Sequence, residues 1–154
     1  SAFVAGRGET VRPVVVEGQR WAVLVNPGFG VNTKWAYQEL AATRTAVTPL
    51  SPVHRELDRQ SKMSWAHVVA AAENDFEAPV FAAHGKLREI KRNLLNYGAE
   101  IALLSGSGAT VFGLFADEAR ARLAETQFVH EKSMKVFVVP TCTGPLCWRE
   151  KPPR

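Results

Sequence analysis

A run of small residues in the second half of the chain has the composition of a phosphate-binding loop. Positions 105–108 read Ser-Gly-Ser-Gly, and the β-branched and aromatic run 110–115 follows almost directly. Glycine adopts positive φ without a Cβ clash, so alternating Gly and Ser can bring successive backbone N–H groups onto one anion. Because Thr110, Val111 and Phe112 favour a strand, the segment predicts a loop that enters a strand and not a helix.

The same loop lacks the residues of several better-known motifs. No Gly-Lys-Ser/Thr follows the glycines, which excludes a Walker A loop, and Val111 stands where a dinucleotide fingerprint has its third glycine. A Gly-x-Ser-x-Gly nucleophile elbow would need glycine at position 105, which is Ser105. A plain structural turn between two apolar runs remains the alternative interpretation of the loop.

Other residue types with catalytic or metal-binding chemistry are scattered. The four histidines have no ligand spacing, and the two cysteines have no CxxC spacing, so we expect no metal site and free thiols: His54, His67, His84, His130, Cys142 and Cys147. Glu73, Asp75 and Glu77 could act as acid–base carboxylates, but their position at a predicted helix start favours capping.

Composition bounds the class of protein. The chain has 154 residues, of which 46% are hydrophobic and 22% charged, as in a single globular domain with its own core. The net charge of +4 is compatible with a phosphorylated ligand and does not call for a nucleic-acid partner. No apolar run approaches membrane-spanning length and no signal-peptide pattern is visible, which predicts a cytoplasmic protein without a membrane partner.

Apolar patterning then predicts the elements that position the loop. The β-rich runs 11–16 and 21–25 predict a hairpin, and Asn26-Pro27-Gly28 ends its second strand before a helix over 34–42. We expect a long surface connection over 43–61, and two helices that meet near Asn74.

The remaining elements complete a fold prediction. An amphipathic stripe over 87–95 predicts a helix that ends at Gly98, followed by strands over 100–104 and 109–115, a helix over 117–126 and a strand over 135–139. This order predicts an α+β fold of the ferredoxin-like, split β-α-β type. Its four-stranded antiparallel sheet has helices packed on one face, and the Gly-rich loop joins two adjacent strands.

Four separate motifs carry a resemblance to a known family. They are Gly6-Arg7-Gly8-Glu9, Asn26-Pro27-Gly28, Asn74-Asp75-Phe76-Glu77 and the segment 104–115. Over roughly residues 3–138 the chain resembles the C-terminal half of the GHMP small-molecule kinases, and among them the 4-diphosphocytidyl-2-C-methyl-D-erythritol kinase family. The resemblance implies a junction or N-terminal-domain remnant over 1–20, a GHMP kinase C-terminal domain over 21–140 and an irregular tail over 141–154.

For the whole enzyme, the resemblance implies Mg²⁺-dependent transfer of the ATP γ-phosphoryl group to the 2-hydroxyl of a cytidyl sugar-alcohol, in non-mevalonate isoprenoid biosynthesis. That family carries its ATP loop and its catalytic carboxylate in an N-terminal half, and neither is present in this sequence. We therefore expect no catalytic residue in this chain, no activity and no tightly bound ATP for the chain alone, and an N-terminal kinase half as its partner.

The resemblance also implies roles for individual residues. Tyr37 stands where the family has an aromatic that stacks on cytosine, with helix packing as the alternative role. The phosphate-loop support would come from Gly106, Ser107, Gly108, Ala109 and Thr110.

A different class of function is a stand-alone ferredoxin-like module that binds a ligand or a protein. Its uncovered sheet surface would also allow self-association. An RNA-binding sheet is disfavoured, because the strands lack the paired aromatic signature of such domains.

Overall fold

The computed structural model describes residues 1–44, 49, 51–57 and 59–142. The strands are β1 (Ala2–Ala5), β2 (Thr10–Pro13), β3 (Val15–Val16), β4 (Trp21–Asn26), β5 (Lys62–Met63), β6 (Ile101–Leu104), β7 (Val111–Phe115) and β8 (Lys135–Pro140). The helices are α1 (Thr33–Thr43), α2 (Pro52–Leu57), α3 (Trp65–Ala70), α4 (Glu77–Ala83), α5 (Gly85–Asn96) and α6 (Glu118–Glu125). No helix in this described part is long and apolar enough to cross a membrane.

The largest sheet has four antiparallel strands in the order β6-β7-β4-β8, which confirms the predicted four-stranded antiparallel sheet. Strand β4 lies in the interior and pairs with β7 on one side and with β8 on the other. β6 and β7 are neighbours whose last paired residues are Leu104 and Val111. The segment 105–110 therefore connects two adjacent strands, as predicted.

The main core lies between one face of this sheet and helices α5 and α6. Buried positions of α5 recur at helical spacing and therefore form one stripe toward the sheet. A Cβ added at Gly113 would lie 3.2 Å from Leu94 Cδ2, so the missing side chain lets α5 approach β7 closely. Fully or almost fully buried members of this core include Val23, Val25, Leu87, Ile90, Leu94, Leu104, Val111, Phe115, Ala121 and Ala124.

The opposite face of the sheet is also apolar and is only partly covered. The strand register places Phe137, Leu24, Phe112 and Leu103 in one row across the four strands. At the β6–β7 end, side chains from the α2–α3 region and from this face enclose an opening of about 250 Å³. At the β8 end, Phe137 stays 54% exposed. Helices α5 and α6 thus pack on one face of the sheet, as expected, whereas the α2–α3 region lies against the opposite face.

The N-terminal strands differ from the predicted hairpin over 11–16 and 21–25, and that prediction is wrong. β2 pairs with β1, and β3 pairs in parallel with β5, so neither is a neighbour of β4. The turn between β1 and β2 contains Gly6 at φ +67° and Gly8 at φ +105°, which only glycine adopts readily. β4 instead lies between β7 and β8, and it buries Val23 and Val25 completely in the main core.

Three helices begin or end where the sequence predicts. Asn32 caps α1, since its Oδ1 accepts from the N–H of Trp35 at 3.0 Å. Asp117 caps α6 in the same way, accepting from the N–H of Arg120 at 2.9 Å. Gly98, at φ +91°, follows the end of α5 and accommodates the left-handed backbone there.

The expected surface connection over 43–61 contains a helix in its described part. α2 begins at Pro52, a residue that suits the first position of a helix because its missing N–H would have no partner there. The side chain of Ser51 accepts from the N–H of His54 at 3.3 Å. The predicted irregular tail lies outside the described residues from position 143 onward.

Candidate functional site

The loop over 105–110 is a tight, glycine-dependent turn. The N–H of Ser105 donates to the carbonyl of Thr110 at 2.8 Å, and the N–H of Gly108 donates to the carbonyl of Ser105 at 3.0 Å. Gly106 and Gly108 adopt φ values of +55° and +99°. Within the described residues, the backbone N–H groups of Gly106 and Ser107 donate to no protein acceptor. These two donors are thus free for an anion.

Side chains from the Asn74–Glu77 motif hold the entrance of the loop. Asn74 Nδ2 donates to the carbonyls of Leu104 at 2.7 Å and of Gly106 at 2.8 Å. Glu77 Oε1 accepts from the N–H of Leu104 at 2.9 Å, and its Oε2 lies 2.5 Å from Lys91 Nζ on α5. This half-buried ion pair connects α4, α5 and the end of β6.

The segment around Asn26-Pro27-Gly28 and the start of α1 hold the other side. Asn26 Nδ2 donates to Thr110 Oγ1 at 3.1 Å, and Asn26 Oδ1 accepts from the N–H of Gly28 at 3.0 Å. The hydroxyl groups of Thr33 and Ser107 are 3.0 Å apart. Residues from two motifs that are distant in sequence, and from the start of α1, therefore converge on one loop.

An open cleft of about 630 Å³ begins at this loop. Tyr37 projects from α1 with 59% of its surface exposed, and its ring meets the ring of Phe76 edge-on at 4.8 Å between centroids. Ser105 and Gly106 line the same cleft as these two aromatic residues. An aromatic surface and a candidate phosphate loop thus share one opening, of the size that small ligands occupy.

The acidic residues near the cleft do not cap a helix, contrary to the capping expected of Glu73, Asp75 and Glu77, although Glu77 lies in the first turn of α4, where its charge complements the helix dipole. Asp75 forms an ion pair with Arg44, and Glu73 lies 3.5 Å from His54 Nε2. No side chain caps α4, whose preceding residue is Phe76. Sequence reasoning missed the role of Glu77, because the partners Leu104 and Lys91 are brought to it only by the fold.

The sequence predicts only that Asn74 lies where two helices meet, within one of the four family motifs. A side-chain amide that donates to two backbone carbonyls has no sequence signal of its own. Asn74 and Leu104 are 30 positions apart in the sequence, and this separation does not predict their contact, which forms only after the strands have paired.

The histidines and cysteines contribute nothing to this cleft that resembles a metal centre. Among the described residues, no three His, Cys, Asp or Glu side chains come close enough to hold a metal ion. The ring of His84 instead stacks against Phe29 at 5.6 Å and meets Trp35 edge-on at 5.7 Å. Cys142 is exposed with a free thiol, and Cys147 lies outside the described residues.

Comparison with known protein families gives one match. Residues 54–132 match the family described as "GHMP kinases C terminal". This range includes the Asn74–Glu77 motif, the Gly-rich loop and the strands on both sides of it.

Two curated relatives share one name. A 4-diphosphocytidyl-2-C-methyl-D-erythritol kinase of Syntrophus aciditrophicus is 36% identical over 138 residues, which is 90% of this chain and 47% of the relative. One from Solidesulfovibrio magneticus is 42% identical over 127 residues, covering 80% of this chain and 42% of the relative. The chain therefore spans about half the length of the curated relatives it matches.

Solved structures agree with these matches at the level of the fold. A crystal structure of 4-(cytidine 5'-diphospho)-2C-methyl-D-erythritol kinase has a TM-score of 0.63 and 25% identity, over 89% of this chain and 48% of that one. The homoserine kinase from Cytophaga hutchinsonii has the same TM-score at 15% identity, over 92% of this chain, and shares the fold alone.

Proposed function

Since the chain belongs to the GHMP kinase family, we propose that it forms one wall of the active-site cleft of a 4-diphosphocytidyl-2-C-methyl-D-erythritol kinase. In this proposal an N-terminal kinase half supplies the opposite wall. The reaction of the assembled enzyme is transfer of the ATP γ-phosphoryl group to the 2-hydroxyl of the cytidyl sugar-alcohol. The named relatives and the shared fold support this assignment.

We propose that residues 21–140 form the C-terminal domain, with ferredoxin-like topology. Its support is the strand order β6-β7-β4-β8, with α1 to α5 between β4 and β6, and α6 between β7 and β8. Residues 1–20 form a separate hairpin and a short strand, which we assign to the junction with the N-terminal half.

One observation carries the functional proposal: the Gly-rich loop and the aromatic pair Tyr37–Phe76 line a single cleft. A nucleoside diphosphate ester presents a planar base and, a few bonds away, a pair of phosphate groups. The exposed ring of Tyr37 can stack on the base, while the backbone N–H group of Gly106, which lines the same cleft, has no protein acceptor among the described residues and is available to a phosphate. The cleft thus offers both kinds of contact that such a substrate needs.

The second free donor of the loop, the backbone N–H group of Ser107, can contact a phosphate of ATP. ATP, when bound, supplies the phosphoryl group. The chain's own residues hold the loop in one conformation: Asn74 and Glu77 at its entrance, Thr33 at its middle and Asn26 at its exit. Such positioning is the larger part of catalysis in phosphoryl transfer.

We propose Mg²⁺ only for the whole enzyme, because among the described residues of this chain no three His, Cys, Asp or Glu side chains form a cluster that could hold a metal ion. No step is therefore assigned to the metal here. We likewise assign no catalytic base to this chain, and place that group in the N-terminal half.

Reconstitution tests the proposal. The chain would be joined to the N-terminal half of the Syntrophus aciditrophicus kinase, and product formation from ATP and 4-diphosphocytidyl-2-C-methyl-D-erythritol would be followed. We expect phosphorylated product from the fusion and none from the chain alone. The relative's own two halves, joined in the same way, control for the junction. If that control is active and our folded fusion is not, the proposal is wrong.

A further inference from the structure

One amide side chain connects the aromatic part of the cleft with the loop. Asn74 Oδ1 accepts from the N–H of Phe76 at 2.9 Å, and Asn74 Nδ2 donates to the carbonyls of Leu104 and Gly106. The ring of Phe76 in turn contacts that of Tyr37. The amide oxygen of Asn74 thus contacts the aromatic part of the cleft, and the amide nitrogen contacts the loop.

We propose that Asn74 is a positioning residue that couples a base bound at Tyr37 and Phe76 to the conformation of the 105–110 loop. The proposal rests on the proposed function insofar as it takes a pyrimidine and a phosphate as the two ligands. A ligand that moves the Phe76 backbone moves the amide, and the amide carries two loop carbonyls with it. Those carbonyls flank Ser105, so their orientation sets the entrance of the turn.

The surroundings of Asn74 give this connection a fixed reference point. Leu104 is also held through its N–H by Glu77, which is paired with Lys91 on the core helix α5. Leu104 therefore cannot follow the amide freely, whereas the exposed Gly106 can. A displacement of Asn74 therefore changes the positions of Gly106 and Ser107, the two residues with free backbone N–H groups.

Asn74→Asp isolates this role, because the variant has nearly the same shape and can still accept from the N–H of Phe76. It cannot donate to the two carbonyls, and its charge is repelled by them. Asn96→Asp, at an exposed position at the end of α5, is the matched control for adding one carboxylate. Asn74→Ala removes the donors without adding a charge and covers the case in which Asn74→Asp does not fold.

Hydrogen exchange on the chain itself gives the first readout, with cytidine 5'-diphosphate as the probe. In the unmodified chain, we expect the probe to slow exchange in the peptide that covers 105–110. In Asn74→Asp, exchange there should rise about tenfold, as the loss of hydrogen bonds of ordinary strength would give, and the response to the probe should disappear. In Asn74→Asp, exchange in α5 and α6 should not change, and in Asn96→Asp the 105–110 loop should exchange and respond to the probe as it does in the unmodified chain.

Kinetics of the reconstituted enzyme give the second readout. We expect Asn74→Asp to raise the KM for ATP about tenfold at an unchanged folded fraction. A purely structural role would lower the amount of active enzyme and leave KM alone. Loop exchange that is the same in Asn74→Asp and Asn74→Ala as in the unmodified chain would overturn the proposal. If the unmodified fusion is inactive, the proposed function fails, and the exchange data still decide whether Asn74 holds the loop.

Discussion

At the scale of single residues, Gly108 shows most directly why the loop needs glycine. Its φ is +99°, and a Cβ there would lie 3.1 Å from Leu104 Cδ1 and 3.4 Å from Val31 Cγ2. An L-amino acid would therefore meet both backbone strain and a crowded pocket. Gly106 also has positive φ, at +55°, but a Cβ there would meet nothing within 4 Å.

We predict that Gly108→Ala lowers the free energy of unfolding by about 2–4 kcal/mol, from strain together with overpacking. Gly106→Ala should cost about 1 kcal/mol, since only the left-handed backbone opposes it. Urea unfolding measures both values. Equal losses for the two variants would mean that the contacts of Gly108 with Leu104 and Val31 do not matter.

The ring of Tyr37 is available to a ligand, because more than half of its surface is exposed. We predict that Tyr37→Ala weakens cytidine 5'-diphosphate binding by about 1–3 kcal/mol, the contribution of one aromatic stacked on a base. Tyr37→Phe keeps the ring and should bind almost as the unmodified chain does. Calorimetric titration measures the affinities. An unchanged affinity in Tyr37→Ala would assign the ring to packing against Phe76 alone.

At the scale of elements, α5 supports the site from beneath. It supplies Lys91 to the Glu77 carboxylate and covers the sheet next to the loop. Two adjacent residues of α5 lie in opposite environments: Leu94 is 0% exposed and Leu95 is 44% exposed. The orientation of α5 against β7 therefore determines whether Lys91 can reach the carboxylate of Glu77.

Leu94→Ala is expected to lower the free energy of unfolding by about 2–5 kcal/mol, because it leaves a cavity against Gly113 and β7. Leu95→Ala, one position further on the exposed side, should cost less than about 1 kcal/mol. Denaturant unfolding of the pair gives the comparison. Similar losses for both variants would mean that α5 does not direct Leu94 toward the sheet and Leu95 toward solvent.

The contact of α5 with the segment before β8 depends on pH. Lys86 Nζ lies 2.6 Å from Glu131 Oε1, and this hydrogen bond raises the pKa of Lys86, opposed by partial burial and aided by Glu89. Because the pKa of Lys86 is higher in the folded chain than in the unfolded chain, the ion pair contributes its full stabilisation at pH values below the unfolded pKa. This contribution is lost as the pH rises through the folded pKa.

For Lys86→Met, we predict a stability loss of a few tenths of a kcal/mol, about the value of an exposed ion pair. The loss should be constant between about pH 7 and 9.5 and should shrink above the ordinary lysine pKa of about 10.4. Thermal unfolding across this pH range measures it. Lys132→Met, at an exposed position of the same segment, controls for removal of one positive charge. A loss that grows with rising pH would reverse the assigned sign.

At the scale of the whole molecule, the second face of the sheet is the main uncovered apolar surface that the strand register reveals. Phe137 and Val139 are 54% and 40% exposed and pair with Leu24 and Ala22 on β4. A contiguous apolar surface of this kind favours association.

We predict that the isolated chain self-associates at high concentration and that Phe137→Ser weakens this association. Leu123→Ser, at a 61% exposed position on α6, is the control and should have little effect. Sedimentation velocity across a wide concentration range distinguishes the two. Association that Leu123→Ser abolishes and Phe137→Ser leaves intact would place the interface on the helical side.

The amino-acid sequence predicts most of the local elements of this chain, although not the pairing of its N-terminal strands. The start of α1 after Asn32, the stop at Gly98 and the loop before Val111 depend on neighbouring residues, so residue type and spacing are sufficient to predict them. Partners distant in sequence were beyond its reach: β4 between β7 and β8, and the Asn74 and Glu77 contacts with the loop, some thirty positions away. These contacts depend on the folded chain, because the sequence of a strand does not specify which strand pairs with it, and a side-chain amide meets its carbonyls only after the strands have paired.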